Sequence, residues 1–372
     1  MKRSLVIGCA AVALAAGCGT ASAQSKSKFD ILVGGDAFFQ AAYVDQDRDT
    51  GLRSTEFANR MRLTFTPTAK ADNGLEYGAR LRVRASNGTS NARTTDSDRA
   101  FIFANGSFGS FKAGVINGLS DESGIIGPNP DGIEGSPDGF FSLFYTTPGV
   151  TTGAGALPYN LANGLRTLES GDASTKVIYL TPVFSGFQLG AAFTPVYGSS
   201  NTNVNRVKHS SAYRDIGEVQ ATYTGEFGAV TVEGSAAYQF GKADITGTED
   251  LSSVHVGLNV GFAGFKFGGS YAFSGDSGYA KGSRGIDDAQ VWILGANYTT
   301  GPIILAATYT DAKGIDSNYA GLNARAHLWQ AGVTYTIAPG FTTGLEYSYL
   351  DNKVGTINND ANIFLLDTRL AF

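Results

Sequence analysis

Cysteine is almost missing from this chain: there are two in 372 residues, Cys9 and Cys18, both at the extreme amino-terminal end. Everything after Cys18 is therefore free of disulfides and of cysteine-ligated metal. Methionine and tryptophan number two each. Past the amino-terminal leader, no run reaches the roughly 18 apolar residues that a spanning helix needs, so any passage through a membrane must use strands. Charged residues are a 16% minority with a net charge of −5, and no basic stretch is interleaved with stacking aromatics, which argues against nucleic acid as a partner. The three histidines, His209, His255 and His327, are too scattered for a metal site, and none stands in a Ser/His or Glu-x-x-His arrangement. Glycine pairs such as Gly153-Ala154-Gly155 lack the strand, helix and lysine of a phosphate loop. The chain is read as non-enzymatic and without a cofactor.

The leader sets the compartment. Lys2 and Arg3 precede an apolar run from Leu5 to Ala16, and Ala21-Ser22-Ala23 offers a small-residue cleavage site before Gln24. Residues 1–23 thus read as a secretory signal, leaving residues 24–372 as the mature chain. Ala15-Ala16-Gly17-Cys18 also resembles a lipobox, which would make Cys18 a lipidated first residue. The Ala-x-Ala site is preferred, because Ala15 stands where a lipobox usually has leucine. Loss of Lys2 and Arg3 moves the balance of 28 basic against 33 acidic residues further to the acidic side.

What the chain does have is glycine (49), phenylalanine (24) and tyrosine (17), arranged with a period of two. Leu75, Tyr77, Ala79, Leu81, Val83 and Ala85 alternate with Glu76, Gly78, Arg80, Arg82 and Arg84. Successive side chains of a strand point to opposite faces, so one face is apolar and the other carries three arginines. The same alternation recurs at Met61, Leu63 and Phe65; at Val230 and Val232; at Val254, Val256, Leu258 and Val260; and at Phe364, Leu366, Leu370 and Phe372. In this register His255 faces the lumen, whereas His209 falls in a loop.

Short breaks alternate with long ones. Asn73-Gly74, Phe108-Gly109, Ser185-Gly186, Phe227-Gly228, Ala263-Gly264, Gly301-Pro302 and Pro339-Gly340 read as tight turns. Between them lie polar stretches such as Asp45–Ser54, Tyr197–Asp215, Asp311–Ala324 and Asp351–Asp360. About sixteen strands follow from Phe29 onward, an even number as closure of an antiparallel barrel requires. The expected fold is all-β: a transmembrane antiparallel barrel with short periplasmic turns and long external loops.

Residues 117–173 form the one long irregular stretch, and Pro128, Pro130, Pro137, Pro148 and Pro158 keep it out of the sheet. It holds Asp121, Glu122, Asp131, Glu134, Asp138, Glu169 and Asp172 against Arg166 alone. The hairpin before it brings Arg60, Arg62, Arg80, Arg82 and Arg84 onto one lumen wall. An acidic loop opposite a basic wall would set a transverse field across the narrowest water. Alternatively, some of these arginines pair with Glu56 or Glu76 and merely solvate the lumen.

Terminal Phe372, the segment Arg99-Ala100-Phe101 running to Phe108-Gly109, and Lys176-Val177-Ile178-Tyr179-Leu180-Thr181-Pro182 followed by Ser185-Gly186-Phe187 carry a likeness to a known family. In their order and spacing the chain resembles the general diffusion porins of Gram-negative outer membranes. The resemblance implies a sixteen-stranded barrel, usually a homotrimer, whose third loop folds inward to narrow the pore, and a terminal Phe372 read by the insertion machinery. Residues 117–173 match that loop by position, but are longer than usual and carry only a loose echo of its tip in Pro137-Asp138-Gly139-Phe140.

Asp45, Asp47, Asp49 and Glu56 fall at positions 1, 3, 5 and 12 of a calcium-loop pattern, although Thr50 replaces its glycine. A solvated acidic external loop is the preferred reading, with a structural divalent cation bridging to lipopolysaccharide as the alternative. Function is then expected to be passive diffusion of small hydrophilic solutes and ions. The same strands would also fit a substrate-specific porin for sugars or anions, or a plugged structural or adhesive barrel.

Overall fold

The computed structural model describes residues 29–87, 93–128, 141–145, 161, 166–167, 174–198, 204, 206–209, 211–315 and 322–372. The expected signal over residues 1–23, with Cys18, lies outside them. The alternating segments become antiparallel strands: β1 (Asp30–Gln46), β2 (Thr55–Lys70), β3 (Glu76–Asn87), β4 (Arg93–Gly106), β5 (Gly109–Ile116), β6 (Ser174–Leu180), β7 (Phe187–Val196) and β8 (Tyr213–Phe227). They continue with β9 (Val230–Ala243), β10 (Leu251–Phe262), β11 (Phe265–Gly275), β12 (Ala289–Thr300), β13 (Ile303–Ile315), β14 (Asn323–Ala338), β15 (Phe341–Val354), β16 (Ile357–Asn358) and β17 (Ala361–Ala371). Two-residue β16 only decorates the end of β15; the other sixteen form the barrel. Closure comes from β17 pairing with β1, from Asp36↔Ala371 to Gln46↔Ala361.

Closure has a physical cause. Hydrocarbon offers backbone N–H and C=O groups no partners, so a sheet can span a membrane only when its first and last strands pair. The tight turns suit the strand twist: Ala263 and Gly264 between β10 and β11 both take positive φ, 49° and 86°, the mirror-image turn favoured in two-residue hairpins. The external ends of the strands run further than their polarity suggests. Asp311–Ala324 reads as a loop, yet β13 continues to Ile315 and β14 begins at Asn323; likewise β15 continues past Asp351 to Val354. Charged side chains end the apolar band, but the hydrogen-bonded ladder continues beyond it into water.

The outer face carries exposed Leu258, Leu294, Trp329, Leu345 and Phe364, as alternation requires. Inside, the barrel has two different halves. Along β1–β4 the inward side chains are mostly polar or charged, whereas Val291, Ile293, Ala312, Leu328, Leu350, Ile363 and Leu365 face inward from β12–β15 and β17. Phe144, Tyr145 and Leu161, from the insert between β5 and β6, pack onto this apolar lining. The simple pattern of apolar outside and polar inside therefore fails on the upper part of these strands, because a loop rather than water covers them.

If this lining is packed rather than wet, Leu350→Ala will destabilise the barrel by about 2–5 kcal/mol, the usual range for removing a well-packed leucine. The compact folded band on an unheated detergent gel should then disappear at a lower temperature. An unchanged transition would show that the lining is hydrated.

Candidate functional site

The inner wall of β2 and β3 presents Arg60, Arg62, Arg80, Arg82 and Arg84 on one side, with Arg62 opposite Arg84 in the ladder. Their closest carboxylates stand on neighbouring strands of the same wall. Asp36 of β1 accepts from Arg62 Nε at 2.8 Å and from Arg60 at 3.4 Å, and the Arg60 guanidinium also lies 4.8 Å from the Phe38 ring centroid. Asp98 takes both ends of the Arg82 fork, at 2.7 and 2.8 Å, and Asp96 does the same for Arg84, at 2.7 and 3.0 Å. Arg84 also reaches Asp98 at 3.3 Å. Bidentate pairs fix the plane of a guanidinium as well as its position. Arg80 is exposed above the Phe101 ring, and no carboxylate lies within ion-pair distance of it among the described residues.

Asp98 reaches this cluster through an irregularity. The β3–β4 register shifts between Arg82 and Val83, which pair with Arg99 and Ser97 and leave Asp98 as the extra residue of a bulge. A bulge re-aims side chains that strict alternation would place elsewhere. Strand parity therefore misses Asp98 and Arg99, whose sequence signal is only the dense run Asp96-Ser97-Asp98-Arg99. Glu56 and Glu76 have other partners: Glu56 binds Arg53, and Glu76 accepts from Asn105.

The insert after β5 begins with a short helix, Leu119–Ser123, whose first residues are clamped by the inner face of β8. Glu218 of β8 is buried, and its two oxygens accept the backbone N–H of Leu119 and of Ser120, each at 2.8 Å. Buried Lys176 supplies positive charge beside it. From there the chain follows the inner wall. Ser123 donates to Gln220 (2.7 Å), the Ile125 N–H donates to Ser235 (2.7 Å), Asn259 donates to the Ile126 carbonyl (3.0 Å), and Thr308 donates to the Pro128 carbonyl (2.8 Å). Gly257 and Gly295 make room for this path, since a Cβ on either would overlap the carbonyl oxygen of Ile125 or of Pro128. Further on, the Tyr145 hydroxyl donates to the Asn359 carbonyl and accepts from Asn352, both at 2.9 Å.

Among the described residues, loop and wall meet where Arg99 pairs with Glu122, at 3.5 Å. Asp121 lies 3.4 Å from Arg166 of the same loop. Asp131, Glu134 and Asp138 lie outside the described residues. The calcium-loop candidates do not converge. Asp45 is exposed beside outward-facing Tyr43, Glu56 is held by Arg53, Asp49 contributes its carbonyl to Leu52, and Asp47 contacts Asp360. Burial, with Asp351 and Asp47 alongside, raises the Asp360 carboxyl above its ordinary value. Among the described residues, no group of three or more such side chains is placed to hold a metal. His255 faces inward and is fully buried, His209 contacts the Asp244 carbonyl in a loop, and His327 faces outward.

A family model described as Gram-negative porin matches residues 10–355. No curated protein matches the chain. Among solved structures, OmpTdeltaL8, a loop-deletion mutant of an outer membrane protein of Vibrio cholerae, is similar with a TM-score of 0.63 at 14% identity, over 92% of this chain and 99% of that one. An anion-selective porin from Comamonas acidovorans gives 0.64 at 16% identity, over 93% and 100%. A triple mutant of the Rh. blastica porin gives 0.59 at 16%, over 92% and 100%. Identities this low establish the shared fold.

Glu218 is the testable anchor of the loop. Glu218→Ala strips two buried N–H groups of their acceptor, at about 1–3 kcal/mol each. The loop root should loosen while the barrel stays folded, so single-channel current should become noisier and larger. Current traces indistinguishable from wild type would show that the clamp does not hold the loop.

Proposed function

The chain belongs to the Gram-negative porin family, and from that membership we propose that the arginine wall of β2–β4 and the loop facing it form the constriction of its channel. The protein is an outer-membrane porin, a diffusion channel rather than an enzyme. Small hydrophilic solutes and ions cross it down their own gradients.

The path of the loop carries this reading. Fastened to β8, β9, β10 and β13, the described first part of the loop follows the inner wall away from the arginines and touches their wall through Glu122 and Arg99. Arg60, Arg62, Arg80, Arg82 and Arg84, joined by Arg99, form the basic pole. Asp121 and Glu122 of the loop form the acidic one. Only charges near the narrowest water act strongly on a passing ion, because screening acts within about 10 Å at 0.1 M salt. Excess positive charge on the wall favours small anions, while the crossed field orients dipolar solutes. Exposed Arg80, without a carboxylate partner among the described residues, is the observation that favours a second reading, an anion-specific porin.

Homotrimeric assembly, contact with outer-membrane lipid and lipopolysaccharide, export with loss of residues 1–23, and recognition of Phe372 by the insertion machinery complete the proposal. Phe372 supports the last of these: its backbone closes on Gly35 at 2.7 and 3.0 Å while its side chain stays exposed.

Two measurements in planar bilayers test the reading. Purified protein should give discrete conductance steps, and their absence would point to a plugged barrel; steps blocked by low concentrations of one solute would favour the specific porin. Arg82→Glu should move the reversal potential under a salt gradient towards cation preference. An unmoved potential would take Arg82 out of the constriction.

A further inference from the structure

Outside the barrel, at the external ends of β13, β14 and β15, the ladder places three basic side chains in one lateral row: Lys313 opposite Arg325, and Arg325 opposite Lys353. Two residues closer to the membrane, the next row is Asp311, His327 and Asp351. The row below that is Tyr309, Trp329 and Tyr349. These odd-numbered positions share the outer face with exposed Leu305 and Leu345, while Ala312, Ala326 and Asn352 between them are buried on the inner side. The channel therefore lies on the opposite side of the wall from this cluster.

The charges are unevenly matched. Arg325 donates to Asp311 at 2.9 Å, and His327 sits between Asp311 at 3.3 Å and Asp351 at 3.2 Å. Lys313 and Lys353 have no carboxylate within 4.0 Å among the described residues. Asp287 faces Arg325 from the loop above, and Asp360 lies at the edge against Tyr349. Like charges opposite one another on neighbouring strands are destabilising unless something compensates them. Here Asp311 compensates only the central one.

Depth and spacing say what would compensate the others. Strands sit about 4.8 Å apart and rise about 3.4 Å per residue, so the three cations span roughly 10 Å and stand about 14 Å along the strands from the aromatic row, which at a strand tilt of about 35–45° is about 10 Å along the membrane normal. That row is a packed floor: Tyr309 lies 4.2 Å from Trp329 and 5.0 Å from Trp292, ring to ring. Aromatic belts mark the level where acyl chains give way to headgroups. Cations just beyond such a belt, facing outward, meet the phosphates of the outer leaflet. We propose that the outward face of β13–β15 binds the phosphorylated headgroup of an outer-leaflet lipid, with Lys313, Arg325 and Lys353 on the phosphate and the Tyr309, Trp329 and Tyr349 row beneath its acyl chains. This assignment rests on the outer-membrane placement of the protein, and it supplies a location for the lipid contact.

The experiment is native mass spectrometry of purified protein with bisphosphorylated lipid A and with its fully dephosphorylated counterpart, alongside bilayer conductance. Wild type should retain the phosphorylated lipid and release the dephosphorylated one. Lys313→Gln/Lys353→Gln, which keeps the Arg325–Asp311 pair, should bind the phosphorylated lipid at least tenfold more weakly, and adding Arg325→Gln should abolish retention. Both variants should keep wild-type conductance, which also certifies their fold. Equal retention of the dephosphorylated lipid, or undiminished binding by both variants, would overturn the proposal. Altered conductance would overturn it too, by placing these side chains on the water path. Failure of wild type to conduct would count against the channel reading alone.

Discussion

Backbone hydrogen bonding in a medium without water is the constraint on which this molecule rests. Once strands have to cross hydrocarbon, each N–H and C=O must find a partner within the sheet, and pairing β17 with β1 is the only way to leave no edge. Closure then divides every strand between two environments. The period of two that satisfies lipid on one side assigns every alternate residue to the inside.

What the inside contains is decided by the insert between β5 and β6. Its root is clamped by Glu218, its backbone is received where Gly257 and Gly295 lack side chains, and Phe144, Tyr145 and Leu161 cover an apolar lining. Half of the barrel therefore behaves like the core of a soluble protein, with loop in place of water. The described part of the loop meets the wall of β2–β4 where Glu122 pairs with Arg99, and on the reading proposed above that wall faces the solute path. Arg60, Arg62, Arg82 and Arg84 are held by Asp36, Asp96 and Asp98, so their direction is set by neighbouring strands rather than by the loop alone.

Charge is thus organised on both sides of the same sheet for different purposes. Inside, guanidiniums are gripped by wall carboxylates, and their fixed orientation is what a selective passage needs. Outside, on β13–β15, two lysines flank an arginine that donates to Asp311, at the level where a headgroup would supply negative charge to the lysines. The ladder that carries these residues continues past the apolar band, and so a polar stretch that looks like loop in the sequence holds its side chains in register.

Alternation, turn residues and the spacing of long and short breaks were enough to specify the barrel, a strand count of about sixteen and the lumen face of Arg60, Arg62, Arg80, Arg82 and Arg84, because each depends on neighbours along the chain. The single long proline-rich insert was equally legible, since proline cannot join a central ladder. The partners were not legible. Asp98 and Arg99 share one wall because of a bulge, Glu218 meets Leu119 from 99 residues away, and inward-facing Ile363 and Leu365 are covered by a distant loop rather than by water. Period two records which way a side chain points. What it meets there depends on register shifts and on contacts between segments far apart in the chain, and those exist only once the barrel has closed.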